Sequence, residues 1–268
     1  MQAFPRTRLK ILSHQLVYPA WQLVDGPRNS RLRTCSFLLK ILDQVLSEAN
    51  KVKLVIFDLD GTLIDTAPDL AYSMDLVMQE LELPKQGVSK VRRHIGNGVR
   101  RLVEDVMSSE LQNAPDEEAV DKALDAFIGH YHEHLVRQSR LYPGVSRCLQ
   151  GLHSSGIKLA CVTNKAKAFT EPLLAHFRID EYFDLVLSGD SLPKKKPDPF
   201  PLTHACQQFA VEVADCVMVG DSSNDILAAR NAGIRSVCMS YGYSDAETVK
   251  QLKPDVVLGS CAELMDLL

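Results

Sequence analysis

The sequence has no C-x-x-C pair, no long apolar run and no marked excess of charge of either sign. Its seven cysteines, Cys35, Cys148, Cys161, Cys206, Cys216, Cys238 and Cys261, are scattered and odd in number. Several sit inside apolar runs such as LACVT and CVMVG. That pattern excludes a disulfide framework and reads as reduced, buried thiols of a cytoplasmic protein. No stretch approaches the ~18 uninterrupted apolar residues of a membrane span. A net charge of −4 points to neither nucleic acid nor an anionic membrane surface as partner. Internal repeats and low-complexity segments are also missing.

What is present is 268 residues, 46% of them hydrophobic. That suffices for one large α/β domain, or for a core with a smaller companion. Residues 1 to about 50 do not resemble the rest. Through Lys40 they carry Arg6, Arg8, Lys10, Arg28, Arg31, Arg33 and Lys40 against the single acid Asp25. The only tryptophan, Trp21, lies here in a stretch with no clear period. Three readings stay open: a basic targeting segment, an arm packed on the core, or upstream sequence without structure of its own. A non-essential extension is the expectation. There is no apolar h-region with a small-residue cleavage site, so no secretory signal is expected. Ser36 to Ala49 has helical spacing.

The chain is organised around KVKLVIFDLDGTLIDT, residues 51 to 66. Leu54 to Phe57 form a short apolar run bounded by polar residues, the mark of a buried strand. Asp58 and Asp60 follow, then Gly61 and Thr62. Carboxylates at the carboxyl end of such a strand lie where an open α/β sheet holds its ligand. A polar strand end with a glycine turn is the plainer alternative. Thr66-Ala67-Pro68-Asp69 is a helix start signal. From there to about Gln138 the pattern is helical, broken at Arg92-Arg93-His94-Ile95-Gly96-Asn97-Gly98. Helices are expected over Val99 to Met107 and from Pro115-Asp116 through Leu135. No strand is expected between Leu63 and Ile157. His130 and His134 of HYHEH share a helix face without a third ligand, so no metal site is expected there. A helical block this long after the first strand argues for a separate subdomain.

Beyond it, strands and helices alternate, which means βαβ units and a parallel sheet. Strands are expected at Ile157 to Thr163, Phe183 to Leu187, Cys216 to Val219, Arg235 to Met239 and Asp255 to Leu258. Helices should end at Phe177, span Pro199 to Phe209 and Ser223 to Ala232, and close the chain from Cys261 or Ala262.

Three further stretches follow strands. Val162-Thr163-Asn164-Lys165 offers a hydroxyl, an amide and a helix N-terminus, which suit an anion or an ordinary N-cap. Lys194-Lys195-Lys196-Pro197-Asp198-Pro199 is either a solvated loop or a way to aim one lysine, Lys196, through restrained backbone. Gly220-Asp221-Ser222-Ser223-Asn224-Asp225 places two acids at i and i+4. They could share a Mg²⁺ or simply open a helix.

These stretches together resemble the four motifs of the haloacid dehalogenase superfamily of phosphohydrolases: DLDGT (Asp58 to Thr62), VTN (Val162 to Asn164), KPDP (Lys196 to Pro199) and GDSSND (Gly220 to Asp225). The likeness runs from about residue 52 to the end. It implies an α/β fold, a Rossmann-like parallel sheet with helices on both faces and an inserted helical cap over the active site. The implied divisions are an extension over 1–50, a core over 51–66 and 139–268, and a cap over 67–138. FDLDGTLIDTAPDL, IGNG, YPGV, VTNK and GDSSNDILAARNAG resemble, within the family, bacterial phosphoglycolate phosphatases.

The resemblance implies hydrolysis of a small phosphate ester through a phosphoaspartate. Asp58 is then the nucleophile and Asp60 the general acid and base. Two nearby carboxylates do not both ionise cheaply, which favours separate roles. Mg²⁺ is implied at Asp58, the backbone carbonyl of Asp60, and Asp221, with Asp225 behind them. Lys196 joins the catalytic set, and Gly61, Thr163 and Asn164 position phosphoryl oxygens. Asp60 argues against a dehalogenase, whose halide needs no proton. For specificity, Gly96, Asn97 and Gly98 form a loop that backbone could bring close to a ligand. Arg93 or Arg100 is the expected cation for a substrate carboxylate, with a solvated helix face as the alternative. Rival readings are a phosphatase for a sugar phosphate or pyrophosphate, a β-phosphoglucomutase-type isomerase, and a non-catalytic binding protein. The assembly is expected to be a monomer or homodimer.

Overall fold

The computed structural model describes residues 52–111 and 114–268. The expected helix at Ser36 to Ala49 and the rest of the extension lie outside the described residues. Strand β1, Leu54–Phe57, is fully buried. Val55 and Phe57 enter one apolar cluster and Leu54 and Ile56 another. Successive side chains of a strand face opposite ways, so an unbroken apolar run is what a central strand covered on both faces requires.

A two-residue strand β2, Ile64–Asp65, pairs antiparallel with β3, Arg140–Leu141. Both fall where no strand was expected, because two residues are too few to show a period. Between them run α1 (Ala67–Glu80), α2 (Gly87–Val91), a 3-10 turn at Arg92–His94, α3 (Val99–Glu110) and α4 (Glu117–His134). Asp116 caps α4 by accepting from Ala119 N. Thr66 precedes α1 but makes no cap bond with its side chain. Its hydroxyl donates to Asp60 Oδ1 at 2.6 Å instead.

After β3 come α5 (Val145–Ser154), β4 (Lys158–Val162), α6 (Lys167–His176) and β5 (Leu185–Leu187). Then follow α7 (Phe200–Gln208), β6 (Cys216–Gly220), α8 (Ser223–Ala232) and β7 (Arg235–Met239). The chain closes with α9 (Ala246–Leu252), β8 (Val256–Leu258) and, after a 3-10 turn, α10 (Leu264–Leu267). Helices α5 and α9 were not expected, and strands β1 and β4 to β8 agree with expectation to within two residues at each end. No described helix is long and apolar enough to cross a membrane.

The six-stranded sheet runs β5-β4-β1-β6-β7-β8, with every pair parallel. The chain steps outward from β1 through β4 to β5, then returns to the other side of β1 with β6. A ligand crevice opens at the carboxyl ends of strands where such an order reverses. Residues that follow β1, β4 and β6 therefore converge there.

The helical segment is tied back at its base. Asp69, in the first turn of α1, is fully buried. Its carboxylate accepts from Gln138 N at 2.8 and 3.0 Å, and from Ser139 N at 2.8 Å and Ser139 Oγ at 2.7 Å. The start and the end of the segment are thus joined through one side chain. Replacing it takes the acceptor from Gln138 N, Ser139 N and Ser139 Oγ, of which the buried Ser139 N has no other, and an unmet buried donor costs about 1–3 kcal/mol. Asp69→Ala is expected to lower stability by roughly 3 kcal/mol in urea unfolding. A loss below about 1 kcal/mol contradicts this account.

Candidate active site

Chain geometry at the end of β1 decides where the two acids go. Asp58 N donates to Val219 O of β6 at 2.9 Å, which holds the strand end against its neighbour. Gly61 then turns the chain at φ 84°. A Cβ at this position would collide with the Asp221 carboxylate. The left-handed turn and the close approach both require glycine. Thr62 Oγ1 donates to Asp221 Oδ1 at 3.1 Å. The end of β6 is thereby locked to the turn after β1.

Asp221 follows β6, and α8 opens two residues later. Ser222 and Asp225 form a capping box there. Asp225 Oδ2 accepts from Ser222 Oγ at 2.6 Å and Ser222 N at 3.0 Å. Lys196, only 4% exposed, arrives from the loop after β5. Its Nζ donates to Asp58 Oδ1 at 2.8 Å and Asp225 Oδ1 at 2.6 Å. One lysine of three is aimed, as expected. Both oxygens of Asp225 are engaged within the protein, as are those of Asp221, whose Oδ1 accepts from Thr62 Oγ1 and whose Oδ2 accepts from Tyr243 N at 2.6 Å.

Oxygens of Asp58, Asp221 and Asp225 lie within 4.8 Å of one another. Three buried carboxylates against one ammonium leave an excess of negative charge in a medium that penalises it. The carboxyls respond. Burial, followed by the charge of Asp225, pushes the Asp58 carboxyl up to about 7, although Lys196 pulls against it. Burial, then Asp225 and Asp58, holds Asp221 well above the carboxylate range. For Lys196, burial pulls the ammonium down but Asp225 and Asp58 outweigh it, so the net shift is upward. A hard divalent cation with oxygen ligands, such as Mg²⁺, fits this donor set and its charge. Asp58 Oδ2 has no hydrogen-bond donor among the described residues, which leaves it open to a ligand.

The pocket is lined from the sheet side by Asp58, Asp60, Thr163, Asn164, Lys196 and Asp225. Leu70, Ile95, Gly96, Gly98, Val99 and Leu102 line it from the helical segment. Gly61 packs against the Asp221 carboxylate, and Asn97, within the loop, accepts from Asn224 Nδ2.

Two expectations need correction. Arg100 faces away, paired with Asp121 at 2.6 Å and Glu104 at 3.2 Å. Each helical residue advances by about 100°, so a side chain one position past Val99 leaves the pocket face. Arg93 lines a different cleft, with Gln86, Lys90 and Glu110. Asn164 lines the pocket, with its side chain engaged within the protein. Its Nδ2 donates to Gly96 O and Lys196 O, both at 2.9 Å, and its Oδ1 accepts from Lys196 N at 3.1 Å. It straps the helical segment and the lysine loop to the sheet. Asn224 adds a second strap, donating to Gly96 O at 3.1 Å and Asn97 Oδ1 at 3.0 Å.

Two residues of the site were passed over in the sequence. Lys165 is buried and its Nζ stands 3.1 Å from both oxygens of Asp60. Thr66 holds the same carboxylate from the other side. The signal for Lys165 was its place directly after a hydroxyl–amide pair at a buried strand end. Thr66 carried no signal beyond that of a helix cap.

A crevice at the order reversal, with an Asp-x-Asp strand end, a buried lysine and a second acid cluster, defines a class of hydrolase. Residues 55–239 match the haloacid dehalogenase-like hydrolase family, and the chain belongs to it. It is an enzyme of phosphatase type, similar over most of its length to bacterial phosphoglycolate phosphatases. The phosphoglycolate phosphatase of Thiobacillus denitrificans is 46% identical over 212 residues, 79% of this chain and 93% of that protein. That of Nitrosococcus oceani is 42% identical over 216 residues, 81% of this chain and 96% of that protein. The crystal structure of a predicted phosphoglycolate phosphatase from Haemophilus somnus superposes with a TM-score of 0.76 at 37% identity, covering 80% of this chain and 97% of that one.

The buried acids carry a pH signature. Folded Asp58 keeps its proton up to about pH 7, whereas the ordinary value is 3.8. The folded state then binds more protons than the unfolded chain between those values, so this group's support is full below about 4 and is lost as pH rises toward 7. In EDTA, the urea midpoint of wild type is expected to fall from pH 5 to pH 8 by more than that of Asp58→Asn, which cannot ionise. A smaller fall in wild type than in the variant contradicts the assignment.

Proposed function

We propose that this chain is a Mg²⁺-dependent phosphomonoester hydrolase that works through a phosphoaspartate on Asp58, with 2-phosphoglycolate as its substrate. The observation that carries this reading is the Asp58 carboxylate itself. It is buried at the carboxyl end of β1, gripped through Oδ1 by Lys196, and faces a pocket shared with Asp60. The names of the relatives support the choice of ester.

Asp58 Oδ2 attacks phosphorus, and a bond forms between them. The phosphorus–oxygen ester bond breaks, and its electron pair leaves with the glycolate oxygen. Asp60 gives that oxygen a proton as the bond lengthens. Asp60, now a carboxylate, takes a proton from water. The hydroxide so formed attacks phosphorus and frees Asp58 and inorganic phosphate. Lys196 balances charge gathering on the phosphoryl oxygens. Thr163 Oγ1 accepts from Lys165 N at 3.2 Å, which leaves its own proton free to donate to one of those oxygens. Gly61, whose N–H donates to Ile64 O at 2.9 Å, shapes the turn that brings Asp60 to the pocket.

The Asp58 and Asp221 carboxylates and the Asp60 backbone carbonyl would hold Mg²⁺, which when bound supplies positive charge against the phosphoryl oxygens. Asp225 keeps Lys196 and the start of α8 in place behind them.

Residues 67–138 act as a cap on a core of 51–66 and 139–268. The apolar side chains of Leu70, Ile95, Val99 and Leu102 line the pocket and exclude water from the reacting centre, which strengthens the charge interactions within. The free, buried thiols among the described cysteines suit the cytoplasm.

Phosphate release from 2-phosphoglycolate in Mg²⁺ is the direct test. Asp58→Asn is expected to reduce it by on the order of 10³-fold or more, and EDTA to abolish it until Mg²⁺ is restored. Turnover by Asp58→Asn at the wild-type rate would overturn the reading.

A further inference from the structure

Asp60 is held by more contacts than a proton carrier in open solvent would have. Lys165 Nζ lies 3.1 Å from each of its carboxylate oxygens. Thr66 Oγ1 donates to Oδ1 at 2.6 Å. Thr66 is itself fixed, since Tyr243 Oη accepts from Thr66 N at 2.8 Å and from Ala67 N at 3.0 Å. Two donors from different loops set both the position and the plane of the carboxyl group.

The ammonium is confined as well. The Lys165 side chain is 2% exposed. Its Nζ sits 4.8 Å from the centroid of the Tyr131 ring, where the ring's negative face attracts a cation. Tyr131 belongs to α4 and is fully buried. It stacks on Phe127 of the same helix at 5.6 Å and packs on Phe169 of α6 at 4.8 Å. Helix α4 thus bears on Asp60 through a single cation. Lys165 serves no phosphoryl oxygen in the mechanism above, and the long side chain would lose rotamer entropy for nothing if it only balanced charge.

We propose that Lys165 is the positioning residue for Asp60: its ammonium, pressed against the Tyr131 ring, fixes the carboxyl where it meets the leaving oxygen, and does so because α4 is packed on the sheet domain. This rests on the reading of Asp60 as proton carrier. An error of about 1 Å in such a group costs on the order of 10²-fold, so the orientation matters as much as the charge.

The leaving group separates positioning from a merely structural part. The alkoxide of 2-phosphoglycolate needs a proton as it departs, whereas the acetate of acetyl phosphate needs none. First-turnover release of glycolate and of acetate is measured on the full-length chain in Mg²⁺, for wild type, Lys165→Met, Lys165→Arg, Tyr131→Leu and Asp60→Asn. Lys165→Met is expected to lose about 100-fold in the glycolate rate, the low end of a general-acid contribution, and at least tenfold less in the acetate rate. KM for 2-phosphoglycolate should move by less than about threefold, since the interaction acts in the transition state. Lys165→Arg should recover at least about tenfold of the glycolate rate. Tyr131→Leu, which keeps both charges, should show the same selective loss at smaller size and stands in if Lys165→Met does not fold.

Equal losses on the two esters in Lys165→Met and Tyr131→Leu overturn the proposal and leave Lys165 a structural ion pair. Equal losses in Asp60→Asn instead remove the proton-carrier reading, which is a separate failure.

Discussion

The structure depends on one buried ammonium. Lys196 stands between Asp58 and Asp225, at 2.8 and 2.6 Å. A charge removed from water is tolerable only when it is paired and hydrogen-bonded. This lysine therefore needs the end of β1 and the start of α8 to be neighbours, and each of those needs the lysine. The order of strands supplies the adjacency, because β6 returns beside β1 after the chain has gone out to β5. Lys196 satisfies only part of the negative charge. The remainder, spread over Asp58 and Asp221, is what makes a divalent cation a natural companion.

The helical segment is held to this centre by polar contacts of unusual economy. Asp69 closes its base. Asn164 and Asn224 hold its loop through the carbonyl of Gly96 and the side chain of Asn97. Tyr131 reaches Asp60 through Lys165. Buried polar networks of this kind fix one arrangement, since a displaced partner leaves donors unsatisfied. The roof of the pocket is apolar and its floor is charged, so the two sides have separate duties: the roof dries the site and the floor holds the charges.

Much of this was legible along the chain. Val55 and Phe57 alternate with Leu54 and Ile56 in an unbroken apolar run, which already reads as a strand covered on both faces. Asp58, Asp60, Lys196 and Asp221 each sit just after a strand or between prolines, and short-range chemistry marks such places. The two-residue strands β2 and β3 were not legible, because pairing at that length is decided by the partner and not by a local pattern. The strapping bonds of Asn164 were not legible either, because its side-chain donors go to Gly96 and Lys196, which are distant in the chain.

By itself the sequence determined the kind of fold and the order of the motifs, because each follows from residues a few positions apart. The tertiary structure alone decided which cations enter the pocket. Arg93 and Arg100 stand near Gly98 in the chain, yet Arg100 pairs with Glu104 and Asp121 and Arg93 lines a separate cleft. Lys165 lies 105 residues from Asp60 and meets it because β4 and β1 are paired. Charges act across space, and only the packed chain says which of them are close.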